Sequence, residues 1–307
     1  MFNERKMRII ACIPAYNEEK SIAKVVLLAQ KFVDKVVVVD DGSEDLTGEI
    51  AKRLGAYVVR HDVRKGYGAA IQTCFKTARE LGADIMVTLD ADGQHDPEEI
   101  PKLIEPISNN EADIVIGSRF LNRKSISEIP LYRRLGIKTI TFLTRRVTGN
   151  RKISDAQSGF RAYSRKALEE LEIEETGMSV STEILIKAAE KKLNIVEVPI
   201  FCRYKGIKSS THHPIRHGFN VIASILNFIA IKHPLLLLGV PGIISLGFGL
   251  LLLWYVIKKY YEVKQLAIGT MMLSTTAILA GIFAMLVALL LYVMTKKNSN
   301  KINNKNS

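Results

Sequence analysis

The stretch LDADGQHD, residues 89–96, sets two aspartates two positions apart behind a short apolar run. The preceding ADIMVTL is continuous and β-branched at its centre, so it reads as a buried strand with Asp90 and Asp92 at its end. Alternate residues of a strand leave on one side, so the two carboxylates can converge on one cation, and Gln94 continues the spacing with a neutral oxygen. Oxygen donors suit a hard ion such as Mg²⁺ or Mn²⁺, and Mg²⁺ is commonly held by carboxylates together with a substrate's phosphates, which implies a diphosphate cargo. The competing reading is a surface turn in which Asp and Gly cap a helix beginning at Pro97.

Such residues need a scaffold. Strand-like runs MRIIACI, KVVVVD, AYVVR, DIMVTLD and DIVIGS alternate with helix-like stretches that begin near Glu18, Leu46, Gly68 and Pro97. The alternation predicts an α/β fold with a mainly parallel sheet. Ligands of such sheets bind beyond the carboxyl ends of the strands, where PAYNEE, DDGSED, DADGQ and GSRF all fall, so these polar turns are expected to converge on one crevice. Internal repeats, a P-loop and a GxGxxG fingerprint are absent, and the missing fingerprint argues against a dinucleotide-dependent dehydrogenase.

The chain has 307 residues, a formal charge of +12 and a pI near 9.5, a balance that suits nucleic acid, an anionic membrane surface or phosphorylated substrates. Cys12, Cys74 and Cys202 are far apart and form no metal-like pair, so they read as buried thiols in a reducing compartment. The N-terminal apolar run IIACI is too short for a signal peptide, which keeps the N-terminal part in the cytoplasm. Residues 235–257 and 266–295 carry no formal charge and are each long enough to cross a bilayer. With only Lys258 to Gln265 between them they form a hairpin, and Lys232, Lys296, Lys297, Lys301 and Lys305 favour cytoplasmic ends, although the loop has lysines of its own. The expected plan is a catalytic domain over 1–211, a juxtamembrane amphipathic helix over 212–233, the membrane segment over 234–297 and a disordered tail over 298–307. Residues 131–149 can also be helical, with Arg134, Lys138, Thr141 and Arg145 on one basic face that lies either in lipid headgroups or against the core.

The ordered set IPAYNEE, VVVVDDGSEDLT, KGYGAA, LDADGQHDPEEIPKL, IGSRF, SDAQSGFRAY and VPIFCRYKGIKSS resembles the inverting family 2 glycosyltransferases of GT-A fold. More closely, it resembles the polyprenyl-phosphate glycosyl synthases of the dolichyl-phosphate mannose synthase type, over about residues 7–211. The resemblance implies a Rossmann-like catalytic domain on the cytoplasmic face of a membrane, taking a nucleotide diphosphate sugar and a polyprenyl phosphate as substrates, with Mg²⁺ or Mn²⁺ as cofactor and no nucleic acid as partner. It assigns Pro14, Ala15, Tyr16, Glu18 and Asp41 to the base and ribose, Lys65 and Gly66 to a loop over the nucleotide, and Asp90, Ala91, Asp92 and Gln94 to the metal and diphosphate. DDGS alone also reads as a helix-capping turn. Arg119, Arg133 and Arg203 match arginines that hold the acceptor or donor phosphates, for which guanidinium forks are well shaped. Asp155 and Gln157 are implied to line the sugar pocket or to orient the site, with Gly159 relieving a tight turn, and Glu183 either reaches the sugar or caps a helix.

A lipid monophosphate is largely a dianion above its second pKa near 6, so such a reaction needs cations to position the nucleophile and no base to deprotonate it. One departure concerns LYRRL, after which the family places a small hydroxyl residue; here Gly136 and Ile137 follow, and Lys138 or Thr139 is left to serve the acceptor. GYGAA with DAQSGFRAY leans towards UDP-glucose or UDP-N-acetylglucosamine, with GDP-mannose still open. Two rival functions fit the residues less well. A hydroxyl-acceptor transferase would need a general base and usually a QxxRW motif, whereas the single tryptophan, Trp254, lies inside a span. A non-catalytic nucleotide or lipid-phosphate binding module is disfavoured by the presence of both Asp90 and Asp92.

Overall fold

The computed structural model describes residues 7–150, 152–203, 235–265 and 267–303. The amphipathic helix expected over 212–233, and the YKGIKSS part of the last motif, lie outside the described residues. The chain divides into two compact units, residues 1–222 and 223–307.

The first unit is built on a seven-stranded sheet whose strands are β1 (Ile9–Ala15), β2 (Lys35–Asp40), β3 (Tyr57–Arg60), β4 (Ile85–Thr88), β5 (Ile114–Ser118), β6 (Arg161–Ser164) and β7 (Ile195–Pro199). The order is β3-β2-β1-β4-β6-β5-β7, parallel except for β6, which runs antiparallel between β4 and β5. The first five match the strand-like runs of the sequence. Their near-continuous apolar character follows from burial on both faces. Ile10, Cys12, Val37, Val39 and Met86 point to one side, against α3 (Tyr67–Glu80) and α8 (Val180–Glu190). Ala11, Ile13, Val36, Val38 and Val87 point to the other, against α1 (Ile22–Ala29) and α4 (Ile100–Ser108). The period of two along each strand divides the core into these two layers. All three cysteines are buried thiols, as read from their spacing.

Helix starts shift in two places. The first helix begins at Ile22 rather than near Glu18, because Asn17 adopts φ 56° and the Asn17 and Glu18 amides donate to Ser43 Oγ and Thr47 Oγ1. Pro97 opens a 3-10 turn capped by Asp96, and α4 follows from Ile100. The strand β6 had no pattern to announce it, since it is four residues long and opens on a charge. Arg161 is nonetheless only 1% exposed. Its guanidinium donates to the carbonyls of Ala156, Ser158 and Ser181 at 2.8, 2.8 and 3.0 Å, which satisfies the buried cation and fixes the loop between β5 and β6.

Between β5 and β6 lie α5 (Arg123–Glu128) and α6 (Leu131–Thr148). The face of α6 that carries Arg134, Thr141 and Arg145 turns into the protein: the two arginines donate to the carbonyls of Ile126 and Ile153, and Thr141 Oγ1 accepts the Ala156 amide. These three residues follow the inward reading of the face, while Lys138 on the same face stays exposed. Leu131, Leu135 and Phe142 stand exposed instead.

The second unit holds a five-residue π turn over Leu235–Gly239, then α9 (Val240–Val263) and α10 (Ile268–Asn303); α7 (Arg165–Glu170) belongs to the first unit. Val240–Val263 and Ile268–Val293 have mean hydropathies of 2.1 and 2.5 and are long and apolar enough to cross a membrane. Only 17% and 11% of their most apolar windows are buried, unlike core helices of a soluble domain. The first helix absorbs Lys258 and Lys259, which shortens the expected loop, and the second continues to Asn303, past the expected start of a disordered tail. Neither Gly nor Pro interrupts it from Ile282 onward. The helices meet through small residues: a Cβ on Gly281 would lie 2.7 Å from the Gly242 carbonyl, and Ser274 Oγ donates to the Gly249 carbonyl at 2.8 Å.

Two glycines of the first unit give opposite expectations. At Gly68 a Cβ would meet the Glu175 carbonyl oxygen at 2.3 Å, whereas at Gly136, exposed on α6, it would meet nothing within 4 Å. Gly68→Ala should destabilise the fold by about 1–3 kcal/mol, and Gly136→Ala should stabilise it by about 0.5–1 kcal/mol. Thermal melts of the detergent-solubilised full chain check both signs; a Gly68→Ala protein as stable as wild type would contradict the packing.

Candidate active site

Asp90 follows β4 at the carboxyl edge of the sheet. Its Oδ1 accepts the Tyr67 hydroxyl at 3.2 Å. Gly159 lies against both groups, where a Cβ would stand 2.9 Å from Tyr67 Oη and 3.0 Å from each Asp90 oxygen. This glycine serves close approach rather than the tight turn expected of it. Asp92 Oδ1 accepts the Gln94 amide at 2.9 Å, and the intervening Gly93 takes φ 73°, so the loop folds back on itself and brings the second carboxylate round beside the first. Ala91 between them is buried.

Burial raises the pKa of Asp90, opposed by the Tyr67 hydrogen bond and by the charges of Arg119 and Arg161. Burial also raises Asp92, and the Asp90 charge adds to it, with Arg133 among the opposing influences. Glu18 is raised by burial, in spite of its Ser21 hydrogen bond, and then by Asp92, Asp45 and Asp90. Three carboxylates thus sense one another's negative charge, and Arg133 on α6 senses it too. A hard divalent cation fits this donor set, because it would relieve a repulsion that the protein leaves in place. Among the described residues no group of three His, Cys, Asp or Glu forms a cage, so oxygens of a bound substrate would complete the shell. Gln94 Oε1 faces the Cys202 thiol at 4.0 Å.

The remaining expected residues fall into three groups. Pro14 and Ala15 end β1 and are buried, and the Tyr16 ring beyond them carries the Arg64 guanidinium 4.1 Å above its centroid. Asp41 is buried, and its carboxylate accepts the amides of Lys65 and Gly66 at 2.9 and 2.8 Å and the His61 ring nitrogen at 2.7 Å. Three of its lone-pair directions are therefore used within the protein, to hold the loop that opens α3, leaving one for a base N–H.

The second group centres on Asp155, which is fully buried and forms a bidentate pair with Arg119: Nε to Oδ2 at 2.7 Å and Nη2 to Oδ1 at 2.8 Å. Burial alone would raise Asp155, but the Arg119 charge and hydrogen bonds outweigh it and hold the carboxyl below its ordinary value. Of the two roles implied for Asp155, this pairing matches the orienting one, since the carboxylate holds the implied phosphate arginine. Glu197, which the motifs did not single out, braces this pair by accepting the amides of Ser154 and Asp155 at 2.7 and 3.0 Å. Gln157 donates to Thr182 Oγ1 at 3.2 Å.

The third group lies apart in role. Glu183 accepts the amides of Glu174 and Glu175 and pairs with Lys187 at 2.8 Å, so its carboxylate anchors the 174–176 segment. That segment in turn receives the Gly68 amide at the Thr176 carbonyl, 2.9 Å away. Arg203 ties down the acidic loop, its amide donating to the Gln94 carbonyl at 2.9 Å and its guanidinium lying 3.3 Å from Asp96. Lys138 is exposed on α6, and Thr139 bonds within the helix to the Leu135 carbonyl. Residues missed by sequence reasoning, Tyr67, His95 and Arg161, all stand inside motifs that were read, but their neighbours come from distant segments. Burial holds the His95 pKa down to about 4, so the ring is neutral at ordinary pH.

Comparison with known proteins agrees with this geometry. The family model described as glycosyl transferase family 2 matches residues 10–172. A UDP-N-acetylglucosamine–dolichyl-phosphate N-acetylglucosaminyltransferase of Methanococcus voltae is 38% identical over 238 residues, 71% of this chain and 94% of that protein. A dolichol-phosphate mannosyltransferase of Pyrococcus furiosus is 37% identical over 202 residues, 63% of this chain and 56% of that protein. Glucosyl-3-phosphoglycerate synthase from Mycobacterium tuberculosis, solved with Mn²⁺, UDP and glucosyl-3-phosphoglycerate, superposes with a TM-score of 0.56 at 25% identity, over 72% of this chain and 80% of its own. With its mixed seven-stranded sheet and its paired aspartates after β4, the chain belongs to glycosyltransferase family 2 and has the GT-A fold.

Proposed function

We propose that this enzyme transfers one hexose from a nucleotide diphosphate sugar to a polyprenyl phosphate, with inversion at the anomeric carbon. The observation that carries the reading is the Asp90–Asp92 pair, left under mutual repulsion with Arg119 and Arg133 acting on the same carboxylates. An acceptor phosphate oxygen forms the new bond to the anomeric carbon, and the bond from that carbon to the nucleotide diphosphate breaks on the opposite face. The proton count needs no base when the acceptor is a preformed dianion. Asp155 and Glu183 suit that balance, because Arg119 engages the first and backbone amides and Lys187 engage the second.

In the proposed site Asp90 and Asp92 hold the cation, with Gln94 beside them. A bound Mg²⁺ or Mn²⁺ would offset the negative charge that builds on the departing diphosphate. Arg119 and Arg133 position the phosphates, with Arg203 holding the loop beneath. Asp41, Tyr16 and the Lys65–Gly66 loop receive the nucleoside. A UDP sugar is the proposed donor, supported by the Methanococcus relative, whose name specifies UDP-N-acetylglucosamine. The lysines beyond the second apolar span, Lys296, Lys297, Lys301 and Lys305, support a cytoplasmic position for the catalytic unit.

Full-length protein in detergent, given Mn²⁺, labelled UDP and GDP sugars and dolichyl or undecaprenyl phosphate, should form a lipid-linked monosaccharide. Asp90→Ala should lower turnover ~100-fold or more. A sugar product that forms without lipid phosphate would refute the acceptor.

Asp92→Asn separates function from stability. Its folded pKa lies above the unfolded value, so the ionised carboxylate costs stability at neutral pH, and acidification through the folded pKa removes that cost. The metal-free variant should therefore melt higher than wild type at pH 7, and the difference should close as pH falls. Mn²⁺ should raise the Tm of wild type and leave the variant nearly unmoved. A variant that melts lower than wild type at neutral pH would sink the repulsion argument.

The arginines are tested through the acceptor. Arg119→Lys and Arg133→Lys keep the charge but lose the fork, so each should raise the apparent KM for lipid phosphate more than that for the donor. The wild-type rate should flatten above a pH near 6 as the lipid phosphate ionises. An acid-side limb that vanishes in Glu18→Gln, with donor binding intact, would instead identify a general base.

A further inference from the structure

His95 is the polar side chain that the site leaves unexplained. It is 5% exposed, yet among the described residues neither ring nitrogen has a hydrogen-bond partner, an arrangement that ordinarily costs on the order of 1–3 kcal/mol for each such group. Its placement is not loose. The backbone is paired with Cys202 across an isolated bridge, the following Asp96 caps the 3-10 turn, and the ring packs on Phe160 at 5.3 Å between centroids. Phe160 is itself fully buried.

What the ring faces gives the orphan nitrogen a purpose. Nδ1 stands 3.7 Å from Asp90 Oδ2, beyond hydrogen-bond length, while the other oxygen of the same carboxylate already accepts the Tyr67 hydroxyl at 3.2 Å. Gly159 closes the third side of Asp90. Tyr67 and His95 thus flank one carboxylate, with one jaw closed and one a few tenths of an ångström open. We propose that His95 is a positioning residue for Asp90, donating Nδ1–H to Oδ2 when Asp90 takes up its cation. Together with Tyr67 it then fixes the plane of the carboxylate and leaves the remaining lone pairs for the ion. Buried imidazole and phenol donors that orient a ligating carboxylate in this way typically change metal affinity by about 10–100-fold when removed.

The inference rests on the metal-site reading above, and the experiment separates the two. Mn²⁺ affinity of the full-length protein is measured directly, by the loss of the free-ion electron paramagnetic resonance signal, for wild type, Asp90→Ala, His95→Phe and His95→Asn. Phenylalanine keeps a ring on Phe160 without a donor, and asparagine places an amide N–H near the position of Nδ1. His95→Phe should weaken Mn²⁺ binding by about 10-fold or more, with a Tm at or above that of wild type because the unpaired nitrogens are gone. His95→Asn should recover a large part of the affinity. Unchanged affinity in His95→Phe alongside lost affinity in Asp90→Ala overturns the role of His95 alone. Unchanged affinity in Asp90→Ala overturns the metal site itself. Should His95→Phe bind weakly because it folds poorly, its lowered Tm and a failure of His95→Asn to recover binding would count against positioning and in favour of a structural role.

Discussion

Uncompensated negative charge at the carboxyl edge of the sheet is the constraint around which the catalytic unit is organised. A buried carboxylate is costly unless something opposes its charge, and two together are more so. The fold opposes it only partly. Tyr67 bonds one Asp90 oxygen, and Arg119 and Arg161 act through space, yet the carboxyls of Asp90 and Asp92 remain above their ordinary values. The two cations that act on Asp90 are themselves committed elsewhere. Arg119 is clamped by Asp155, and Arg161 spends its donors on backbone carbonyls. A fold that had neutralised the aspartates with a direct ion pair would have gained stability and lost its affinity for a divalent ion.

The route from sequence to this arrangement is short for some residues and long for others. Strands β1 to β5 were legible because each is a short apolar run, and the turns that follow β1, β2, β4 and β5 hold Tyr16, Asp41, Asp90 and Arg119 at the carboxyl ends of the strands. The antiparallel β6 was not legible. It is four residues long, and its first side chain is a buried arginine whose partners are main-chain carbonyls, which no periodicity records. Without β6 between β4 and β5, Gly159 would not reach Asp90, so the strand hidden from the pattern is the one that closes the site.

Asp155 and Glu183 illustrate a second limit. Both are acidic residues in recognisable motifs, and a motif gives the residue type without its partner. Asp155 meets Arg119, thirty-six positions away, and Glu183 meets two amides and Lys187. Each supports the site through a neighbour: Asp155 by aiming a guanidinium, Glu183 by holding the segment against which Gly66 and Gly68 pack. The pattern of α6 was ambiguous for a related reason. Basic residues at helical spacing left the face open between headgroups and core; Arg134 and Arg145 find carbonyls inside the protein, Lys138 stays exposed, and the apolar Leu131, Leu135 and Phe142 are left outside.

That inversion bears on how a lipid substrate and a polar reaction meet. Helix α6 begins just after Pro130 with Leu131 outward, while Arg133, two residues on, is half-buried and its charge reaches Asp92. One turn of helix thus presents an apolar surface on one side and a phosphate-competent cation on the other. An acceptor with a hydrocarbon tail and an anionic head requires that change of environment within a few ångströms, because the head must leave the interface to reach the sugar while the tail stays in apolar surroundings. Gly136, with open space around it, adds no side chain to the outward face at the next turn, so the change of environment stays confined to the turn that Leu131 and Arg133 share.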